Sequence, residues 1–132
     1  MVRTKEITAG TIDHALVFST SFCKTGELRA PAQKTDGQYA GAGGVPEGTR
    51  VQLDPSLSPD SYNLNKAERA VFVAMQKYGA YAIDCGGNPA AFIFETPSGG
   101  QSPYAAAGLS EDFQKMNLPW DKLRALHAWN GK

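Results

Sequence analysis

Residues 65–95, NKAERAVFVAMQKYGAYAIDCGGNPAAFIFE, change their hydrophobic period from that of a helix to that of strands partway through. Asn65 stands where a helix cap is expected, and Glu68 is placed three residues on to reach back to it. Ala67, Ala70, Val71, Ala74, Met75 and Tyr78 then form one apolar stripe of a 3.6-residue period. Gly79 follows at the position that favours a left-handed C-terminal cap. The spacing predicts a helix over 66–78. Beyond it, Ala80 to Cys85 and Ala90 to Glu95 read as two strands around the turn Gly86-Gly-Asn-Pro89.

Working towards the N-terminus, Thr49 to Asp54 alternates Val51 and Leu53 against Arg50 and Gln52, and Pro55 ends that strand. Residues 38–48 are dominated by glycine and alanine and read as a mobile loop. Residues 21–30 are polar and irregular, and Thr35-Asp36-Gly37 is a turn signal. Residues 11–20 form a further strand whose alternation puts Ile12, His14, Leu16 and Phe18 on one face. Towards the C-terminus, Ser110 to Met116 reads as a short capped helix. Leu118 to Trp129 fits a helical face or a bent closing strand.

Two strands, a helix and a hairpin in that order predict a single α+β domain over residues 1–132. Its antiparallel or mixed sheet would carry one main helix, with a jelly roll or sandwich as the competing arrangement. No internal repeat is visible.

Lysine plus arginine equal aspartate plus glutamate, thirteen of each. Without a basic field to neutralise phosphates, nucleic acid is excluded as the expected partner. No apolar run approaches the roughly 20 residues of a membrane span, so no membrane partner is expected. The polar N-terminus has no signal-peptide core. Cys23 and Cys85 have no second Cys or His close in sequence, which argues against zinc. Two alternatives remain: a long-loop disulfide, or two separate buried thiols.

No phosphate loop, serine elbow, His-Glu-x-x-His or Cys-x-x-Cys occurs. His14 is the foremost single candidate, because an imidazole on an apolar strand face must find a partner and a partnered imidazole can act as a base. The plainer reading is a core histidine bonded to a carbonyl or carboxylate. His127 reads as a partly exposed residue near the terminus. Asp36 and Asp54 are typical turn residues, and Arg50 is an expected partner for a strand carboxylate. Asp13, Asp84 and Glu95 occupy strand positions that disfavour acids. Asp84 and Glu95, if they end neighbouring hairpin strands, would make a carboxylate pair suited to glycosidic acid–base work or to a divalent ion. Tyr39, Tyr62, Tyr104, Trp120 and Trp129 lie in loops or near the end, where a ring can stack on a sugar face or close the core.

The segments Gly10-Thr-Ile-Asp-His-Ala-Leu16, Pro31-Ala-Gln-Lys-Thr-Asp-Gly37, Pro46-Glu-Gly-Thr-Arg-Val-Gln-Leu-Asp-Pro55 and Gln76-Lys-Tyr-Gly-Ala-Tyr-Ala-Ile-Asp84 together resemble a region of secreted proteins from soil bacteria, actinomycetes especially. That resemblance implies an extracellular setting, a β-rich fold that meets polysaccharide, and a chain that forms the C-terminal portion of a longer parent. It carries no established reaction.

The expectation is therefore a secreted domain that binds or acts on a polysaccharide, its reaction and any cofactor left open. His14, Asp84 and Glu95 are the catalytic candidates, and Asp36, Arg50, Tyr39 and Trp120 the substrate contacts, in one cleft. No metal set is assigned. The alternative is a non-catalytic, structural or self-assembling extracellular protein.

Overall fold

In the computed structural model, residues 1–100, 102–109 and 116–128 are described. The expected helix from Ser110 therefore lies outside the described residues up to Met116, as does Trp129. Helix α1 (Thr4–Ala9) is followed by strands β1 (Leu16–Ser19), β2 (Cys23–Leu28), β3 (Val45–Glu47) and β4 (Arg50–Leu53). Helix α2 (Lys66–Lys77), strands β5 (Ala80–Asp84) and β6 (Ala91–Phe92), a single helical turn α3 (Pro103–Ala106) and strand β7 (Leu123–Ala125) complete the order.

Helix α2 begins and ends as its sequence predicts. Asn65 Oδ1 accepts from the Glu68 N–H at 2.8 Å, and Glu68 Oε2 accepts from the Asn65 N–H at 2.9 Å. Gly79, at φ +71°, turns the chain out of the helix; a Cβ there would lie 2.4 Å from the Val51 carbonyl oxygen. The stripe Ala67, Ala70, Val71, Ala74 and Met75 is buried and Phe72 joins it, so the buried face is wider than the strict period. These side chains meet Leu16, Phe18, Leu53, Ala80 and Ala82 of the sheet in one core.

The sheet is mixed and five-stranded, in the order β6-β1-β5-β4-β7. Strand β1 runs parallel to β5 and antiparallel to β6, while β4 runs antiparallel to both β5 and β7. The α+β class with one main packed helix is thus the fold that forms. The expected hairpin is not: β1 inserts between β5 and β6. The cause lies at the end of β1. Thr20 N–H donates to the Asp84 carbonyl at 3.1 Å, Thr20 Oγ1 donates to the Pro89 carbonyl at 2.7 Å, and Ser21 N–H donates to the Asn88 carbonyl at 2.7 Å. The Gly-Gly-Asn-Pro segment therefore wraps over the end of β1 instead of folding into a tight turn.

Three further differences concern short elements. The strand expected over residues 11–20 starts only at Leu16, which leaves His14 on the bend before it. The glycine-rich segment expected to be a mobile loop holds β3, which pairs in parallel with β2 as a separate two-stranded sheet. Its glycines are partly packing positions: a Cβ on Gly41 would lie 2.5 Å from the Tyr39 hydroxyl. The polar N-terminus, without periodicity, forms α1; Val2 bridges Phe94 and, with Ile7, is fully buried. Residues 118–129 resolve, as far as 128, into a turn at Trp120–Lys122 and the closing strand β7.

Cys23 and Cys85 form a disulfide that ties the start of β2 to the end of β5. No helix among the described residues is long and apolar enough to cross a membrane.

Candidate functional site

Among the described residues, two clefts of similar size share no lining residue. The first, about 410 Å³, is polar and lies beside the disulfide. Thr20, Ser21, Asp36, Gln38, Tyr39 and Gly86 line it together with both cysteines. The Thr20 hydroxyl is already engaged, donating to Pro89 and accepting from the Phe22 N–H, so it shapes the wall. Ser21, Asp36 and Gln38 expose their polar groups. Tyr39 is held edge-on against Phe22, with ring centroids 5.3 Å apart. Beneath Asp36 lies Glu47 of β3, a buried carboxylate whose Oε2 accepts from the Asp36 N–H at 3.2 Å. Carboxylate oxygens of Asp36 and Glu47 and the Cys85 sulfur lie within 4.8 Å of one another. Because that sulfur is committed to the disulfide, only two carboxylates could hold a cation, fewer protein ligands than zinc or calcium usually takes.

The second cleft, about 420 Å³, lies between β4, β5 and the chain beyond β7. Arg29, Ala30, Pro31, Gly48, Arg50, Tyr81, Leu126, His127 and Ala128 line it. Arg50 and Tyr81 are register partners on adjacent antiparallel strands, and the Arg50 guanidinium lies 5.8 Å from the Tyr81 ring centroid. Arg50 Nε donates to the Tyr78 carbonyl at 2.8 Å, and Nη2 donates to the same oxygen. Arg29 Nη1 donates to the Leu126 carbonyl at 3.4 Å.

The expected site residues are not gathered into one cleft. Asp36 and Tyr39 share the polar cleft, and Arg50 stands in the other. His14 is half-exposed, with Nε2 3.1 Å from Glu6 Oε1 and Nδ1 2.8 Å from the Ala15 carbonyl. This is the plainer of its two readings, a histidine held by a carboxylate and a carbonyl. Glu95 belongs to α1: one of its oxygens accepts from both Thr4 N–H and Thr4 Oγ1. Those two bonds, aided by the charges of Arg3 and Lys5, hold its carboxyl below the usual carboxylate range.

Asp84 and Glu95 do not end neighbouring hairpin strands, because β1 separates β5 from β6. Asp84 aligns with Ser19, whereas Glu95 lies beyond β6, where its N–H donates to the Val2 carbonyl at 2.8 Å. Nor does Arg50 pair with a strand acid. Asp54 instead meets Arg124 at 3.3 Å, and hydrogen bonds from Ser56 N–H and Oγ lower its pKa.

Trp120 is a core-closing ring, stacked on Phe92 at 5.7 Å. Tyr104 is buried edge-on to Phe94, with its hydroxyl on the Glu95 carbonyl. Tyr62 leans on Phe72. Tyr104 is thus enclosed, whereas Trp120 and Tyr62 are half-buried rings packed against the core.

Glu47, Gln38, Arg29 and Tyr81 were not singled out as site residues from sequence. Glu47 was hidden in the apparent loop and Arg29 in an irregular segment. Tyr81 reads as a core ring by strand periodicity, whereas it is half-buried in the second cleft.

Fold and clefts together define an α+β domain with a mixed sheet, a disulfide and, among the described residues, two ligand-sized openings. No family model, curated protein or solved structure matches the chain.

Proposed function

We propose that the chain is a secreted domain that binds polysaccharide, and that the polar cleft beside the disulfide takes neutral, hydroxyl-rich sugar units. The observation carrying this reading is the make-up of that cleft: a carboxylate, an amide, a hydroxyl and a ring side by side in about 410 Å³. Asp36 accepts hydrogen bonds from sugar hydroxyls, while Gln38 and Ser21 can both donate and accept. The Tyr39 ring offers an apolar face to sugar C–H groups. The disulfide suits an oxidising, extracellular setting.

The test is affinity electrophoresis in gels cast with soluble β-glucan, xylan or mannan, alongside Tyr39→Ala and Asp36→Asn. At least one polymer is expected to retard the wild-type chain; Tyr39→Ala should lose most of that retardation and Asp36→Asn part of it. Free migration in all three gels, or equal retardation of both folded variants, overturns the reading. Free migration combined with light scattering that grows with protein concentration would favour the self-assembling alternative.

A further inference from the structure

The arginine cleft has no part in the reading above. Among the described residues neither Arg29 nor Arg50 forms an ion pair with a carboxylate, and no acid lines their cleft. In a chain of zero formal net charge, two half-buried guanidiniums sharing one opening without a counter-charge are a local excess that an anion would offset. We propose that this cleft binds a carboxylate-bearing saccharide, a uronate unit of an acidic polysaccharide.

Arg50 is held ready for this. Two of the five N–H groups of its guanidinium are committed to the Tyr78 carbonyl, and three remain. That carbonyl belongs to the residue ending α2, where the helix dipole favours a cation. Arg29 is held from the other side. Its N–H donates to the Glu47 carbonyl at 2.8 Å, and Gly48 N–H donates to the Ala82 carbonyl at 2.8 Å, so the Glu47–Gly48 segment ties Arg29 to β5. Gly48, at φ +85°, must be glycine, since a Cβ would lie 1.7 Å from the Arg29 carbonyl oxygen. One guanidinium is thus anchored to the end of α2, while the other extends from a main chain held by the loop before β4 and donates to the Leu126 carbonyl beyond β7.

The class of ligand follows from what stands beside the arginines. The guanidinium fork suits a planar carboxylate and a phosphate alike, so the apolar wall decides between them. The Tyr81 ring and the apolar wall of Ala30, Pro31 and Leu126 suit the C–H face of a sugar attached to that carboxylate. A volume of about 420 Å³ falls within the usual range of small-ligand sites. A free inorganic anion would leave that apolar wall unused.

The test uses the whole chain and oligogalacturonate as probe, with its methyl ester as the uncharged control and a sulfated dextran as the non-uronate polyanion. Titration calorimetry should show binding to oligogalacturonate that weakens at least about tenfold on methyl esterification. Arg29→Gln and Arg50→Lys should each weaken it by a similar factor, and Tyr81→Ala should weaken the uronate and its ester alike. Asp36→Asn and Tyr39→Ala should leave uronate binding unchanged, which separates this site from the polar cleft whether or not the latter takes sugars. Equal binding of acid and ester, equal or tighter binding of sulfated dextran, or unchanged affinity in a folded Arg29→Gln chain overturns the proposal.

Discussion

One oxygen of Glu95 accepts both the main-chain N–H and the side-chain hydroxyl of Thr4, at 2.8 and 2.9 Å across 91 residues of sequence. The chain just after β6 therefore supplies an anion to the first turn of α1, where the helix dipole favours one. A carboxyl held below its ordinary pKa in the folded state contributes stability above its unfolded pKa, and that stability is lost as pH falls through the folded value. Glu95→Gln is expected to destabilise the chain near neutral pH. The gap to wild type should narrow as pH drops below about 4, where the unfolded-state carboxyl is already protonated. Urea midpoints measured from pH 7 to pH 3 check this; a gap independent of pH would show that the charge is not what Thr4 needs.

Glu68 serves two segments at once. One oxygen closes the capping box with Asn65, and the other accepts from the Asn117 N–H at 2.7 Å. Because the side chain is buried, removing it leaves two main-chain donors without their acceptor. Glu68→Ala should cost about 2–4 kcal/mol, against about 1 kcal/mol for Asn65→Ala, which loses the cap and an exposed bond from Asn65 Nδ2 to the Gly108 carbonyl. Denaturant titration of both variants distinguishes them. Equal losses would mean that Asn117 contributes nothing through this bond.

The contrast between α2 and its surroundings shows what the sequence could convey. Helix α2 is long enough for a period to accumulate, and its ends carry chemical marks in Asn65, Glu68 and Gly79, so its limits were legible. Strands β4 and β5 were legible for the same reason. Adjacency was not. Hydrophobic alternation says which face of β5 is buried but not that β1 lies beside it, and that insertion is fixed by hydrogen bonds from Thr20 and Ser21 to Asp84, Asn88 and Pro89. Helix α1 and strand β3 are too short to establish a period, and both are held by distant partners. The candidate clefts suffered most. Both form where β2, β3 and the flanking loops meet the main sheet, so their linings depend on pairings that no local pattern encodes. Asp36, Tyr39 and Arg50 could be picked out singly, whereas their division between two openings could not.

Gly48 is the point where those pairings converge. Its left-handed backbone and the Arg29 carbonyl against its Cα leave no room for a side chain. Gly48→Ala is expected to lose at least about 2 kcal/mol through strain and overpacking. Gly26→Ala is the control, since Gly26 also has positive φ (+68°) but open space around it, and it should lose only the backbone component. Thermal unfolding of the pair tests this; a Gly48→Ala chain as stable as Gly26→Ala would mean that the Arg29 segment moves away at no cost.

The disulfide closes 62 residues that include β2, β3, β4 and α2. Crosslinking a loop of that length is worth roughly 4 kcal/mol in the chain-entropy account, much of the margin of an ordinary domain. Cys23→Ser/Cys85→Ser should therefore unfold at a markedly lower denaturant midpoint. Because both sulfurs line the polar cleft, the effect should not be uniform across the molecule. Hydrogen exchange is expected to quicken first at Cys23–Leu28 and Val45–Glu47, the small sheet whose start the bond ties to β5. Helix α2 and its contacts with β4 should keep their protection longer, since their core does not depend on the crosslink. Exchange that quickens equally in α2 and in the small sheet would mean that the bond supports the whole domain rather than the cleft wall.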